Sequence, residues 1–328
     1  MTFLFKTITV AAASAAALCS TGSMAADASA NYPDRPIRVI VPLAPGGGSD
    51  YTARFIGTRL AERLGQTIVV DNRPGASGVV GTDLVAKAAP DGYTLLLAYS
   101  THAQSAQLFT RLPYDPIKDF APITIVIATP LTLLLHPSLP AKNVREFIAY
   151  AKAQQGKLNY GSSGPGSSPH LASELFASMA GFKATHVPYK GVAQYITAEL
   201  GNEIQFSFSN IFTTMPHWKS GRLRLIGIGG LKRLEAAPDV PTIAESGVPG
   251  FEANTWYGYM APAKTPRAIV ERLHKEIAAI AQLPDVRQTL ISQGNEVVVN
   301  TPDDFAKVIR NDANKWGAIG KKLGVTMD

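Results

Sequence analysis

Apolar positions along the chain switch between two spacings, and the switch points mark its elements. Ile37-Arg38-Val39-Ile40-Val41 reads as a strand, while Ala53, Ile56, Leu60 and Leu64 fall at helical spacing before a stop at Gly65. Residues 67–70 form the next strand, followed by the turn Asn72-Arg73-Pro74-Gly75 and a helix near 78–88. Pro90-Asp91-Gly92 then leads into an apolar strand over 93–99. This βαβαβ run predicts an α/β fold, with a parallel sheet covered by helices on both faces. Ligands of such sheets lie beyond the carboxyl ends of the strands.

A second unit follows "APITIVIATPLTLLLHPSLP". It reads as a helix over 143–153, a strand over 157–160 and the loop "GSSGPGSSPH". Leu171, Leu175 and Met179 give a helix face that ends at Gly181. Strands near 184–187 and 204–209 flank a helix at 192–200, and "RLRLIGIGG" is a further strand. The tail carries two marked helices. One starts at Thr265-Pro266, with Ile269, Leu273, Ile277 and Ile280 on one face; the other starts at Thr301-Pro302, with Asp304 placed for a capping box.

Composition narrows the class. At 328 residues the chain has room for two lobes, and 46% hydrophobic with 17% charged residues excludes disorder and fibrous repeats. The net charge of +6 is scattered, so no nucleic-acid partner is expected; a mildly positive surface favours small anions. Lys6, an apolar run over 8–18 and Ser23-Met24-Ala25-Ala26 have the layout of a signal peptide over 1–26, too short in its apolar part to span a membrane. The mature chain is expected to begin near Ala26, exported. Its only cysteine, Cys19, falls in the leading segment, which leaves no disulfide or thiol chemistry.

Two loops carry the candidate chemistry. "APGGGSD" and "SSGPGSSPH" each leave a strand, run through Pro and Gly, and end on a small polar residue at a helix start. Free N–H groups and the positive end of the helix dipole make such a terminus an anion site, and glycine allows close approach. Ser49, Ser162, Ser163, Ser167 and Ser168 add hydroxyls, and neither loop contains Lys or Arg. Taken singly, each loop is equally an ordinary helix cap; the pair suggests a clamp on a carboxylate. Rival motifs are incomplete. After Gly46 and Gly48 the third glycine of a dinucleotide fingerprint is Tyr51, although Asp71 ends the second strand where a ribose-binding acid would sit. No P-loop, nucleophile elbow or metal-ligand spacing occurs, so neither cofactor, metal nor catalytic residue is expected. His170 is the one residue placed to act as a base, although a first-turn histidine is more often a surface or cap residue than a catalyst.

Several stretches together resemble the substrate-binding (receptor) proteins of tripartite tricarboxylate transporters, the Bug-type periplasmic solute-binding proteins. They include "YPDRPIRVIVPLAPGGGSD", "VVDNRPGASG", "APDGYTLLLA", "GKLNYGSSGPGSSPHLASELF", "THVPYKG" and "APDVPTIAESGVPGFEANTWYGYMAPAKTP", and they cover nearly all of the chain after the leading segment. The resemblance implies a two-lobed Venus-flytrap fold, each lobe a mostly parallel sheet flanked by helices. It implies a periplasmic receptor, expected to be a monomer, that delivers an organic carboxylate (di- or tricarboxylate, or aromatic) to a membrane permease. Lobe 1 would hold 27–127 and 228–328, and lobe 2 would hold 128–227, with crossovers near 126–130 and 223–229. The gripping loops would supply Gly46, Gly47, Gly48, Ser49 and Asp50 from one lobe, and Ser162, Ser163, Gly164, Ser168 and His170 from the other. Leu43, Ser100, Thr101, Tyr189, Asn210 and Trp256 would shape the rest of the cleft, with core packing for Leu43, Tyr189 and Trp256 and sheet-edge caps for the polar residues as equal alternatives. Leu43 stands where many relatives carry Phe. The alternative is an exported α/β hydrolase or dehydrogenase acting on a small anion, which would need a nucleophile, metal or cofactor in the same place.

Overall fold

A computed structural model describes residues 31–325, so the expected signal peptide and start site lie outside the described residues. Strand β1 (Ile37–Val41) runs into helix α1 (Gly48–Leu64), followed by β2 (Ile68–Asn72), a single 3₁₀ turn (Ala76–Gly78), α2 (Val79–Ala86), β3 (Thr94–Tyr99) and α3 (Thr101–Leu108). β4 (Phe120–Leu135) is 16 residues long. Then come α4 (Val144–Gln154), β5 (Asn159–Ser162), α5 (Ser168–Ala180), β6 (Thr185–Pro188), α6 (Val192–Leu200), β7 (Phe206–Asn210), α7 (Ile211–Lys219) and β8 (Arg224–Ile228). β9 (Asn254–Pro262) leads to α8 (Arg267–Ala281), α9 (Pro284–Ser292), the short β10 (Glu296–Val297) and α10 (Pro302–Leu323).

Two lobes share the long strand β4. In the first lobe the strand order is β2-β1-β3-β9-β4; in the second it is β4-β7-β5-β6, with β8 also on β4. The pairs β1–β2, β1–β3, β5–β6 and β5–β7 are parallel. Every pair made by β4 or β9 is antiparallel, so each sheet is mixed rather than mostly parallel. The cause is topological: β4 and β9 carry the chain between lobes in opposite senses. Pro130 is the last β4 residue paired with β9, and Leu131 the first paired with β7.

The chain does not return at 223–229. β8 stays on the second sheet, and Ile243, Val248, Phe251 and Ala253 pack into the second lobe's core with Phe147, Phe176 and Phe208. The return is made at Ala253–Asn254, where β9 begins. α8 places Ile269, Leu273, Ile277 and Ile280 in the first core, beside Ile37, Val39 and Leu95. Two side-chain caps form away from the cleft: Asn143 caps α4 through the Glu146 N–H, and Thr301, expected from the sequence, caps α10 through the Asp304 N–H.

Candidate functional site

The helices α1, α5, α6 and α7 start at the carboxyl ends of β1, β5, β6 and β7, and their first residues line one cavity between the lobes. Gly48, Ser168, Val192 and Asn210 contribute to its wall, which Leu43, Tyr99, Thr255 and Tyr257 complete. The cavity holds about 20 Å³, room for about one water molecule. The N-cap residues Gly47, Ser167, Gly191 and Asn210 make no side-chain cap bond. The same is true of α2, α8 and α9, so it is the convergence that marks the site. Several positive helix ends aimed at one small, uncharged volume create a positive potential without a cation.

Three of these loops are braced in the same way. The Gly46 N–H donates to Asp50 Oδ2 (3.1 Å), the Gly166 N–H to His170 Nδ1 (2.8 Å), and the Lys190 N–H to Gln194 Oε1 (2.9 Å). In each the residue before the N-cap is held by the third helical residue, which leaves the first-turn amides without a side-chain partner from their own loop. Asp50 and His170 are therefore directed into their loops rather than toward the cavity. Asp50 also accepts from Arg54 Nε at 3.0 Å. Burial raises the Asp50 pKa, but the Arg54 and Gly46 hydrogen bonds outweigh it and hold the carboxyl below its usual range. Burial, then the neighbouring His186, pushes His170 down to about 3, and burial pushes His186 to about 4. The two rings stack at 4.0 Å, both uncharged at neutral pH. His170 is already an acceptor for a backbone amide and is not a free base.

The remaining expected residues separate into wall, strut and core. Leu43 and Ser163 line both the inner cavity and an outer pocket. Gly48 lies so close to Tyr257 and Asn210 that a Cβ there would press on both, and one on Gly47 would come within 3.3 Å of Val192. The Ser49 hydroxyl is buried without a partner. Asn210 donates through Nδ2 to Tyr257 Oη at 2.5 Å, across the two lobes. The Ser168 N–H donates to Thr101 Oγ1 (3.2 Å) and its hydroxyl to Gln104 Oε1 (3.2 Å). Ser162 is spent inside its loop: it donates to the Gly164 carbonyl, accepts the Gly164 N–H, and lies 2.6 Å from His186 Nε2. Ser100 is a strut, donating to Thr255 Oγ1 (3.1 Å) and accepting the Trp256 N–H (2.8 Å).

Trp256 does not face the cleft. It packs edge-on against Phe305 and donates to Asp312 Oδ2 at 2.7 Å. Along a strand, side chains alternate faces, so its neighbours Thr255 and Tyr257 take the cleft positions. Tyr99, Val192, Thr255 and Tyr257 of the inner cavity and the loop 75–78 of the outer pocket are among the wall residues that sequence reasoning missed. The signal for the loop was "GASG": Gly75, Ala76, Ser77 and Gly78 have φ of 147°, 45°, 53° and 98°. Left-handed geometry at Ala and Ser costs about 1–2 kcal/mol each, and such strain concentrates at functional sites.

Outside Leu43 a pocket of about 370 Å³ is lined by Ser77, Gly164, Tyr189 and Gln194, with Lys190 as its one cation. Among the described residues no cluster of His, Cys, Asp or Glu could hold a metal, and no helix is long and apolar enough to cross a membrane.

The chain is similar to several known proteins. Residues 52–325 match the family model described as the tripartite tricarboxylate transporter family receptor. Protein BugT of Bordetella pertussis is 36% identical over 311 residues, covering 94% of this chain and 95% of its own length. The structure of Rpa4515 from R. palustris with adipate superposes with a TM-score of 0.88 at 34% identity, covering 90% of this chain and 99% of that one. MatC from Rhodopseudomonas palustris with bound malate gives 0.84 at 32% identity, over 88% and 99% of the two chains.

Proposed function

The chain belongs to the receptor family of tripartite tricarboxylate transporters, and we propose that it binds a small organic carboxylate between its lobes and hands it to a membrane permease. The family and its solved neighbours are solute-binding proteins, not enzymes. One observation carries the reading: α1, α5, α6 and α7 point their N-termini into a single cavity that contains no charged side chain. A carboxylate held there exchanges hydration for backbone amides, and with no lysine or arginine ion pair to break it can also leave. The head group would occupy the inner cavity. Leu43 and Ser163, shared by both spaces, would mark where the body of the ligand passes into the outer pocket. The adipate and malate bound by the similar structures are acids of this kind. We place the protein in the periplasm, exported as a monomer by its leading segment.

A thermal-shift screen against mono-, di- and tricarboxylates and their matched amides tests the proposal. A ligand at 100 times its dissociation constant adds about 2.7 kcal/mol of stability, a clear rise in melting temperature. Shifts given by acids and absent for the amides support it. A panel in which no carboxylate moves the transition refutes it.

A further inference from the structure

We infer that Trp316 is a positioning residue for the second carboxylate loop: it holds the first turn of α5 against the other lobe without touching the cavity. The inference rests on reading the α5 N-terminus as half of the binding site.

α10 belongs to the first lobe, where Phe305 and Ile309 enter the core. Near its end it lies close against α3, because Gly317 and Gly320 leave no Cβ in the way; side chains there would press on Gln107 and Leu108. The joined pair of helices presents Leu108 and Trp316 outward, each only 3% exposed, and the surface that covers them is Leu171 of the second lobe, which is fully buried. Leu171 lies three residues after Ser168. Ser168 in turn gives its N–H to Thr101 and its hydroxyl to Gln104, both on α3. Polar contacts from α3 and apolar ones from α3 and α10 thus fix the same turn of α5 against the first lobe. Leu108, Leu171 and Trp316 are absent from the wall of the cavity.

A buried apolar cluster shared between lobes stabilises the shut arrangement and is lost when the lobes part. Ligand that needs the shut arrangement binds with an affinity scaled by the fraction of molecules already in it. Trp316 therefore sets affinity from a distance, and does so whatever acid is bound.

Nitroxide labels test this directly. Cysteines replace Glu62 and Ser178, exposed on α1 and α5 of the two lobes, in a Cys19→Ala background that leaves no other thiol. Double electron–electron resonance on the protein without added ligand then reads the interlobe distance. Trp316→Ala is expected to move the distribution to longer distances, with a fall of about tenfold or more in the closed-to-open ratio, as expected for removing a buried indole. Trp316→Phe, which keeps an aromatic contact, is expected to restore most of the short-distance population. Leu171→Ala makes the same test from the other lobe if Trp316→Ala does not fold by circular dichroism. Distributions for the alanine variants that superpose on the parent overturn the inference. Because the readout needs no carboxylate, its failure is separate from a failure of the ligand screen.

Discussion

Replacing Gly48 with alanine should weaken ligand binding and also cost the fold some stability. Gly48 has no positive φ, so alanine fits its backbone, and at the first helical position it even gains some intrinsic helix preference. The obstacle is Tyr257 of the same lobe, together with Asn210 across the cleft. A Cβ on Gly48 would stand 2.9 Å from Asn210 Nδ2 and closer still to the Tyr257 phenol. Neither can retreat freely, since they are bonded to each other at 2.5 Å and Tyr257 is buried. Overpacking of this kind costs about 1–3 kcal/mol. Tyr257 belongs to Gly48's own lobe and Asn210 to the opposite one, so the cost is divided between the fold and the shut arrangement, and the share that falls on closure predicts an affinity loss of up to roughly 150-fold. Gly65→Ala is the matched control. It meets nothing within 4 Å but sits at φ 67°, so it should lose about 1–2 kcal/mol of stability and no affinity. Calorimetric titration with the best acid from the screen, beside thermal melts, reads both quantities. A folded Gly48→Ala protein that binds with the parent's affinity refutes the reasoning.

Trp256→Phe should lower the melting temperature by leaving Asp312 buried without its indole donor, while ligand affinity holds; weakened binding in titration would return Trp256 to the site. His102, held down to about 4 by burial, joins His170 and His186 as a group that the unfolded chain protonates first. Stability is therefore fully present above about pH 6.5 and declines as pH falls toward about 3–4, and His170→Asn should flatten part of that decline in pH-dependent melts. Glu199 runs the other way: burial, only partly offset by the Ser207 hydroxyl, raises it to about 8. Its contribution is complete below the usual carboxylate pKa and is lost as pH rises through about 8, so Glu199→Gln should gain stability relative to the parent above pH 8.

Much of this could be read in the residues, and the misses have definite causes. The loops at 43–50 and 162–170 announced themselves because glycine and proline after an apolar strand have few other uses. Strand direction left no such mark: nothing in Asn254–Pro262 says that it runs against β3, and the mixed sheets follow from that. β4 runs straight through Pro130, because the ladder changes partner from β9 to β7 at that point. The error at Trp256 was a shift of one position on a strand, which exchanges the core face for the cleft face. Asp50 and His170 were found but given the wrong task. Their i to i+4 relation to Gly46 and Gly166 is visible in the sequence, whereas the direction of a first-turn side chain is settled only by the loop it braces.

A crystal structure with an acid from the screen tests the central claim most directly. The account predicts one carboxylate group between the lobes, its oxygens about 2.7–3.2 Å from first-turn amides of α1 and of at least one of α5, α6 and α7, with no Lys or Arg side chain in contact with that group. A carboxylate found instead against Arg287 and Lys232, in the groove of about 550 Å³ behind the interlobe strands, would contradict it.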